Sequence, residues 1–391
     1  MGGAERAALD ADTAMTTFAW SALLLVPVVV SCVYWIATGL MMARFFRRRA
    51  PADSSWLPTV SLIKPVCGLE KNIHENLSTA CRQNYPRYEV IFSVQDSADL
   101  ALPLLARIRD ENPTVPIQIV VDRSSAGPNG KVSNLLNATG HATGRVLVYS
   151  DSDMRLEPDY LRTIVAPLAN PRVGIACTVY RAEGADNLYE SLELLSLNTD
   201  FVPSMVFAVE TGAALACPGA SQAIRRETLT LVGGLEPMAY SLVEDLELGR
   251  AVMAAGLMIT LVPHVAVTRV DAPRPSVWWR HQVYWDQNTR VANPVGFFFT
   301  FLVRGVPFAG LYALCGGPGS WLVLAGTLAI RLGTTLVSST LLGDREGIRR
   351  LWLLPLRDAA GLLVWMASFV GRKVYWRGRV FALSGKGLIE V

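Results

Sequence analysis

The sequence predicts a mixed α/β domain with a mostly parallel, Rossmann-like sheet, tethered by an N-terminal and several C-terminal transmembrane helices. Three observations point there. Long uncharged runs stand at both ends of the 391-residue chain, each near the roughly 20 residues that cross a bilayer. Between them, short β-branched runs alternate with helical stretches, the signature of parallel strands covered by helices. Hydrophobic residues reach 51% and mean hydropathy +0.31, high for a chain wholly in water.

The first apolar run extends from Phe18 to Met42 and is followed at once by Arg44-Phe-Phe-Arg-Arg-Arg49, whereas Glu5, Asp10 and Asp12 precede it. By the positive-inside rule the residues after it are cytoplasmic. A cleaved signal peptide would carry its basic residues ahead of a shorter apolar core. An uncleaved anchor over 18–43, after a tail of 1–17, is therefore expected.

The soluble middle begins with a strand at Thr59–Ile63 and a helix from about Asn72 to Gln83. Tyr88–Val94 is a second strand, ending at Gln95-Asp96, and Leu100–Arg109 is helical. Pro116–Val121 is extended, Lys131–Asn137 helical, and Arg145–Ser150 a strand that delivers Asp151. Ligands of such folds bind beyond the carboxyl ends of the strands, so Asp96 and Asp151 share one rim. The run Leu188–Met205, with Leu188, Leu192, Leu195 and Phe201 among its apolar residues, fits either a membrane-surface helix or a plain core helix.

Three further apolar stretches, about Val295–Leu314, Trp321–Leu342 and Leu351–Val370, fill the C-terminal third. Arg304, Arg331 and the Arg357-Asp358 pair interrupt them, and charges at those depths must face protein, water or headgroups. Three complete spans would leave the tail, with Arg372, Lys373, Arg377 and Arg379, on the outside, against the charge rule. Either one stretch is re-entrant or interfacial, or the tail breaks the rule.

A net charge of +3 is too mild to indicate nucleic acid. The six cysteines form no C-x-x-C pair and no Cys/His metal spacing, and Cys32 and Cys315 fall inside apolar runs. They read as reduced small hydrophobes, not a disulfide framework.

Chemistry concentrates in Val146-Leu-Val-Tyr-Ser-Asp-Ser-Asp-Met154, a hydrophobic run ending in Asp151 and Asp153. Alternate residues of an extended strand point the same way, so both carboxylates can reach one point. Hard oxygen ligands there suit Mg2+ or Mn2+ bridging a diphosphate, the leaving group of a nucleotide-sugar. Pro128-Asn-Gly-Lys131 is a turn ahead of a helix, whose N–H groups and Lys131 suit an anion or a solvated loop equally. Val243-Glu-Asp-Leu-Glu-Leu-Gly-Arg250 opens a helix with carboxylates at its positive end, where capping competes with catalysis. Gly219–Arg226 with Gly233-Gly234 reads as a close-packed segment under an acceptor site. In Trp278-Trp-Arg-His-Gln-Val-Tyr-Trp285, residues Trp278, His281, Trp285 and Asn288 share one helical face. An interfacial helix at headgroup depth or an ordinary aromatic belt both account for it.

Together these residues resemble the ceramide glucosyltransferase family, within the inverting GT-A glycosyltransferases. Ser61-Leu-Ile-Lys-Pro-Val-Cys-Gly-Leu-Glu70 looks like its opening strand, Asn76-Leu77 and Gln83-Asn-Tyr-Pro-Arg-Tyr-Glu89 like its next segment, and Asn129-Gly-Lys-Val-Ser-Asn-Leu135 like its lysine loop. Asp96, Asp151-Ser-Asp153 and Glu244-Asp245 follow in the family's order. The resemblance covers roughly Pro58 to Pro294 and the apolar segments on both sides. The layout it implies is a GT-A domain over 55–293, transmembrane or interfacial helices over 294–371, and a tail over 372–391. One element departs: aligning the family's (Gln/Arg)-x-x-Arg-Trp on Trp285 puts His281 first and Tyr284 where arginine is expected. Arg280, His281 or Arg290 then supplies the cation from a shifted position, or the diphosphate is stabilised differently.

The resemblance implies a membrane enzyme transferring glucose from UDP-glucose to the primary hydroxyl of ceramide with inversion, and Mn2+ or Mg2+ as cofactor. It implies Asp245 as base; Lys64, Asp96, Lys131, Asp151 and Asp153 on the donor side, the last two also at the metal; and Glu244, Arg280, His281, Trp285 and Arg290 on the acceptor or diphosphate side. Its partners are a UDP-sugar, a ceramide-like lipid and the bilayer, with no nucleic acid. The catalytic face is cytoplasmic and the composition suggests a bacterial inner membrane. The hopanoid-associated glycosyltransferases, which move an N-acetylhexosamine to a polyprenoid lipid, share most of these motifs. A noncatalytic scaffold of the same fold is opposed by the intact aspartates.

Overall fold

The computed structural model describes residues 3–48, 55–370, 373–376, 379–383 and 389–390. Arg49, Arg372 and Arg377 of the expected basic flanks lie outside them. Eight strands form the main sheet: β1 (Val60–Pro65), β2 (Tyr88–Val94), β3 (Ile117–Val121), β4 (Val146–Ser150), β5 (Met154–Arg155), β6 (Val173–Glu183), β7 (Ser221–Arg225) and β8 (Met258–Arg269). Their order is β3-β2-β1-β4-β7-β6-β8-β5. β1, β2, β3 and β4 run parallel, whereas β7 is antiparallel to both β4 and β6.

The register fixes the rim. Val60 stands opposite both Tyr88 and Val146, so the carboxyl ends of β1, β2 and β4 emerge together. Because β7 runs the other way, Ser221 pairs with Ser150, and the chain entering β7 arrives beside the chain leaving β4. β4 is buried at every position, the continuous apolar pattern of a strand covered on both faces. On one face Leu62, Phe92 and Val148 pack against Ile73, Leu77, Leu105, Ile108, Tyr160 and Ile164. On the other, Ile63, Ile91 and Leu147 meet Val132, Leu135, Val202 and Met205. Each such large apolar side chain contributes about 1.5–3 kcal/mol on full burial.

The second layer also takes in Met42 and Phe45 of the anchor and Leu342, which seats the sheet domain on the membrane helices. The N-terminal helix runs Gly3–Arg47, so the expected tail is continuous with the anchor. Ala22–Arg47, Leu188–Thr211 and Ser320–Leu341 are each long and apolar enough to cross a membrane. Over half of the apolar window of Leu188–Thr211 is buried inside the protein, and a single π-helical turn at Leu197–Phe201 interrupts it. The stretch around Arg304 is two helices, Pro294–Val303 and Gly305–Leu314, bent by 47°.

The last apolar stretch forms a helix of 14 residues, Leu354–Ala367. At about 1.5 Å per residue that is roughly 21 Å, short of a bilayer core of about 30 Å. The charges inside the apolar segments pair with one another: Arg331 reaches Asp358 at 3.0 Å and Asp200 at 2.6 Å, and Arg357 contacts both carboxylates.

Candidate functional site

The Asp-Ser-Asp segment lies just past β4, in the tight turn that leads into β5. The turn itself, and not an extended strand, brings its carboxylates together. Lys64, at the end of β1, builds it. This lysine is completely buried, and its ammonium donates to Ser150 Oγ at 3.2 Å and to the carbonyls of Asp151 and Met154 at 2.8 and 2.9 Å. An ammonium has three N–H bonds, and all three are used. Burial, eased by the nearby carboxylates of Asp153 and Asp151, lowers its pKa to about 8. Lys64, expected on the donor side, thus shapes the turn.

Ser152 turns inward to donate to Glu70 at 2.7 Å, which leaves Asp151 and Asp153 on the rim side. Asp153 Oδ2 accepts from Thr268 Oγ1 of β8 at 2.8 Å, while its Oδ1 is buried with no hydrogen-bond partner. Burial, then the charges of Asp151 and Glu70, push its pKa up to about 6.

Lys131 joins the two acidic motifs. Its Nζ stands 2.8 Å from Asp151 Oδ1 and 3.3 Å from Glu244 Oε1. Burial opposes its charge, yet the two carboxylates outweigh burial and hold the ammonium well above the ordinary lysine range. The helix that presents Lys131 is capped by Asn129, whose Oδ1 accepts from the Val132 N–H at 3.2 Å. The Asn129 amide donates to the Ser241 carbonyl at 2.9 Å and to Glu244 at 3.2 Å, so the lysine loop and the Glu244-Asp245 turn are one assembly.

Asp245 sits in the first turn of Glu244–Ala254. Its Oδ2 accepts from the Gly219 N–H at 2.7 Å and its Oδ1 from the Leu246 N–H at 2.8 Å. Burial first, then the neighbouring Glu244 charge, raise its pKa to about 7, against the pull of Lys131 and the two N–H donors. A carboxylate titrating there accepts a proton far more readily than an ordinary aspartate. Gly219 is obligatory for this contact: a Cβ would stand 2.9 Å from Asp245 Cβ and 2.9 Å from Oδ2.

Asp96 lies at the end of β2 on the same rim but outside the cluster, its side chain 64% exposed and 3.1 Å from Arg123. The Ala98 N–H and then Arg123 hold its pKa below the usual value.

The helix Pro275–Ala292 lies along the rim. Tyr284 is close enough to Glu244, Lys131 and Asp245 to feel their charges, and His281 feels Asp153. His281 Nδ1 is 2.7 Å from Glu193 Oε1, and Trp285 Nε1 donates to His281 Nε2 at 2.8 Å. With Nε2 accepting, Nδ1 carries the proton given to Glu193. Arg280 is exposed and donates back to the Ser276 carbonyl of its own helix at 3.1 Å. Arg290 lies 5.5 Å over the Phe369 ring.

Two contributors have little signature in the sequence. Thr268 orients Asp153 from a strand distant in sequence. Tyr180, in β6, is buried within reach of Asp245, Asp151 and Asp153 but reads as one more apolar strand position. A third, Glu193, was detectable as a carboxylate within the leucine-rich run Leu192-Glu-Leu-Leu195.

Among the described residues no cluster of three or more His, Cys, Asp or Glu is poised for a metal. The Asp151 and Asp153 carboxylates, one with an unpartnered buried oxygen, are hard oxygen donors of the kind that would fit Mg2+ or Mn2+ if a diphosphate and water completed the shell.

The chain is 21% identical over 374 residues to ceramide glucosyltransferase 1 of Caenorhabditis elegans, covering 93% of this chain and 79% of that protein. It is 29% identical over 174 residues to the ceramide glucosyltransferase of Gibberella zeae, covering 41% of this chain and 33% of that one. Among solved structures, the mannosyltransferase PcManGT from Pyrobaculum calidifontis, in complex with GDP-Man and Mn2+, superposes with a TM-score of 0.53 at 18% identity, covering 89% of this chain and 99% of that one. At that identity the likeness concerns the fold, which is GT-A. The description of Glycosyl transferase family 21 matches residues 23–389, and the chain belongs to that family of membrane glycosyltransferases.

Proposed function

We propose that this protein transfers glucose from UDP-glucose to the primary hydroxyl of a ceramide-like membrane lipid, with inversion, at the cytoplasmic face. The observation that carries the reading is Asp245, held by the Gly219 and Leu246 N–H groups and tuned to about 7, beside a lysine-bridged carboxylate cluster. The ceramide glucosyltransferase relatives and the membrane helices support a lipid acceptor. The basic residues after the anchor support the cytoplasmic face.

In this reading the Asp245 carboxylate takes the proton of the acceptor hydroxyl as its oxygen forms the bond to the anomeric carbon. The bond to UDP breaks on the opposite face, and UDP leaves with the electron pair. One displacement inverts the centre, so α-linked glucose becomes a β-glucoside. Asp151 and Asp153 would hold a divalent cation, which when bound would neutralise charge on the diphosphate. Lys131, bridging Asp151 and Glu244, sets positive charge beside the departing diphosphate. Asp96, on the outer rim, faces the uridine.

Detergent-solubilised protein with UDP-glucose, ceramide and Mn2+ tests this directly. Formation of β-glucosylceramide, abolished by EDTA and by Asp245→Asn, is expected. Transfer only of N-acetylglucosamine to a hopanoid lipid overturns the substrates while keeping the base. UDP release unaffected by Asp245→Asn overturns the mechanism.

A further inference from the structure

A cavity of about 240 Å3 lies where the membrane helices meet the sheet domain, outside the carboxylate cluster. The anchor contributes Tyr34 to its wall, Leu188–Thr211 contributes Glu193, and the rim helix His281 and Trp285. Arg304, at the bend, and Thr335, on Ser320–Leu341, close it.

Four residues lining it carry buried polar atoms without a partner: Thr38 Oγ1, Glu193 Oε2, Arg304 Nε and Thr335 Oγ1. An unsatisfied buried polar atom costs about 1–3 kcal/mol, more where charged, and such atoms are scarce in folded proteins. Four lining one cavity indicate a ligand that supplies their partners. A carboxylate oxygen accepts only and a guanidinium N–H donates only. The occupant must therefore present both an N–H or O–H and a carbonyl or hydroxyl oxygen.

The cavity is also wired to the reaction centre. Glu193 accepts from His281 through its other oxygen, His281 accepts from Trp285, and His281 lies within the field of Asp153. Trp285 stacks edge-on to Phe201 at 5.1 Å, and Phe201 meets Tyr180 at 5.8 Å, the buried tyrosine behind the carboxylate cluster. The volume fits a lipid's polar head but not its chains. Outside, Val33 and Ile36 of the anchor and Leu332 and Leu336 of Ser320–Leu341 are exposed apolar surface, where chains can stay in the bilayer.

We infer that this cavity is the acceptor chamber, holding the amide and hydroxyl head of a two-chain lipid through Glu193, Arg304 and Thr335 while its reactive hydroxyl extends toward Asp245. The inference rests on the lipid-transfer reading above.

The test uses full-length protein in phosphatidylcholine nanodiscs and a ceramide bearing a diazirine next to its amide. Photolabelling on the cavity-lining Tyr34, Thr38, Thr334, Thr335 or Ser338, competed by ceramide and not by diacylglycerol, is expected. Labelling confined to Val33, Ile36, Leu332 or Leu336, or competed equally by diacylglycerol, overturns the chamber. As a second measure, Glu193→Gln and the isosteric Thr335→Val should each raise the acceptor KM about tenfold with the UDP-sugar KM moving less than twofold. Equal movement of both constants, or of neither, overturns it. Chamber labelling without glucose transfer to ceramide overturns the proposed reaction and leaves the chamber standing.

Discussion

Asp245 combines two opposing influences. Burial and Glu244 raise its pKa, while Lys131 and two N–H donors restrain it near 7. A base must be ionised to work, so kcat/KM should climb about tenfold per pH unit below pH 7 and flatten above it. A profile flat from pH 5 to 8 would remove Asp245 from the role. Asp245→Asn keeps the shape and removes the base, and should lower kcat by roughly 10^3-fold. Gly219→Ala tests positioning without touching the carboxylate. Its Cβ would press on Asp245, so kcat should fall roughly 10- to 100-fold with little change in thermal stability.

At the scale of elements, Asp200, Arg331, Arg357 and Asp358 within the apolar helices form one ion-pair network. Arg331 and Asp358 are almost fully buried and bonded to each other, Arg357 also pairs with Asp358, and both arginines pair with Asp200 in the π-helical turn. Removing one partner strands a buried charge, a loss of about 3–5 kcal/mol. Arg331→Met should lower the unfolding temperature in detergent by several degrees, and adding Asp358→Leu should recover part of it. Close packing sets the bent pair: a Cβ on Gly305 would stand 2.6 Å from Ser31 Cβ on the anchor, and Ser31 donates to the Leu302 carbonyl at 3.0 Å. Small residues permit such approach between membrane helices. Gly305→Leu should separate the anchor from the bend, read as faster proteolysis of the solubilised protein.

At the scale of the molecule, hydrogen bonds support a topology. Arg250 donates to the Ala292 carbonyl at 3.0 Å, which puts the start of the bent pair on the sheet-domain side. Asp344 accepts from Asn198 at 2.8 Å, and Glu346 accepts from the Gly184 and Ala185 N–H groups at 2.7 and 2.8 Å, which returns the end of Ser320–Leu341 to that side. A bent pair that crosses would carry Cys315 to Gly319 to the far side, and a re-entrant one would return them to the domain side. The Leu354–Ala367 helix is too short to cross again, and Phe381 packs against Leu242 on the domain side. Cys315 is exposed, so in a Cys67→Ser background a membrane-impermeant maleimide should label it only from the face opposite the sheet domain. Labelling from the domain side would make the bent pair re-entrant.

The sequence by itself determined the alternation of strands and helices, the anchor and the order of the acidic motifs, because these depend on local periodicity and on residue type at short spacing. Only the tertiary structure decided that Lys64 is consumed by its turn, that Thr268 and Gly219 hold the aspartates, and that Glu193, Arg304 and Thr335 meet in one cavity. Each of those depends on partners tens to hundreds of residues away, brought together by sheet register and helix packing that no local pattern encodes.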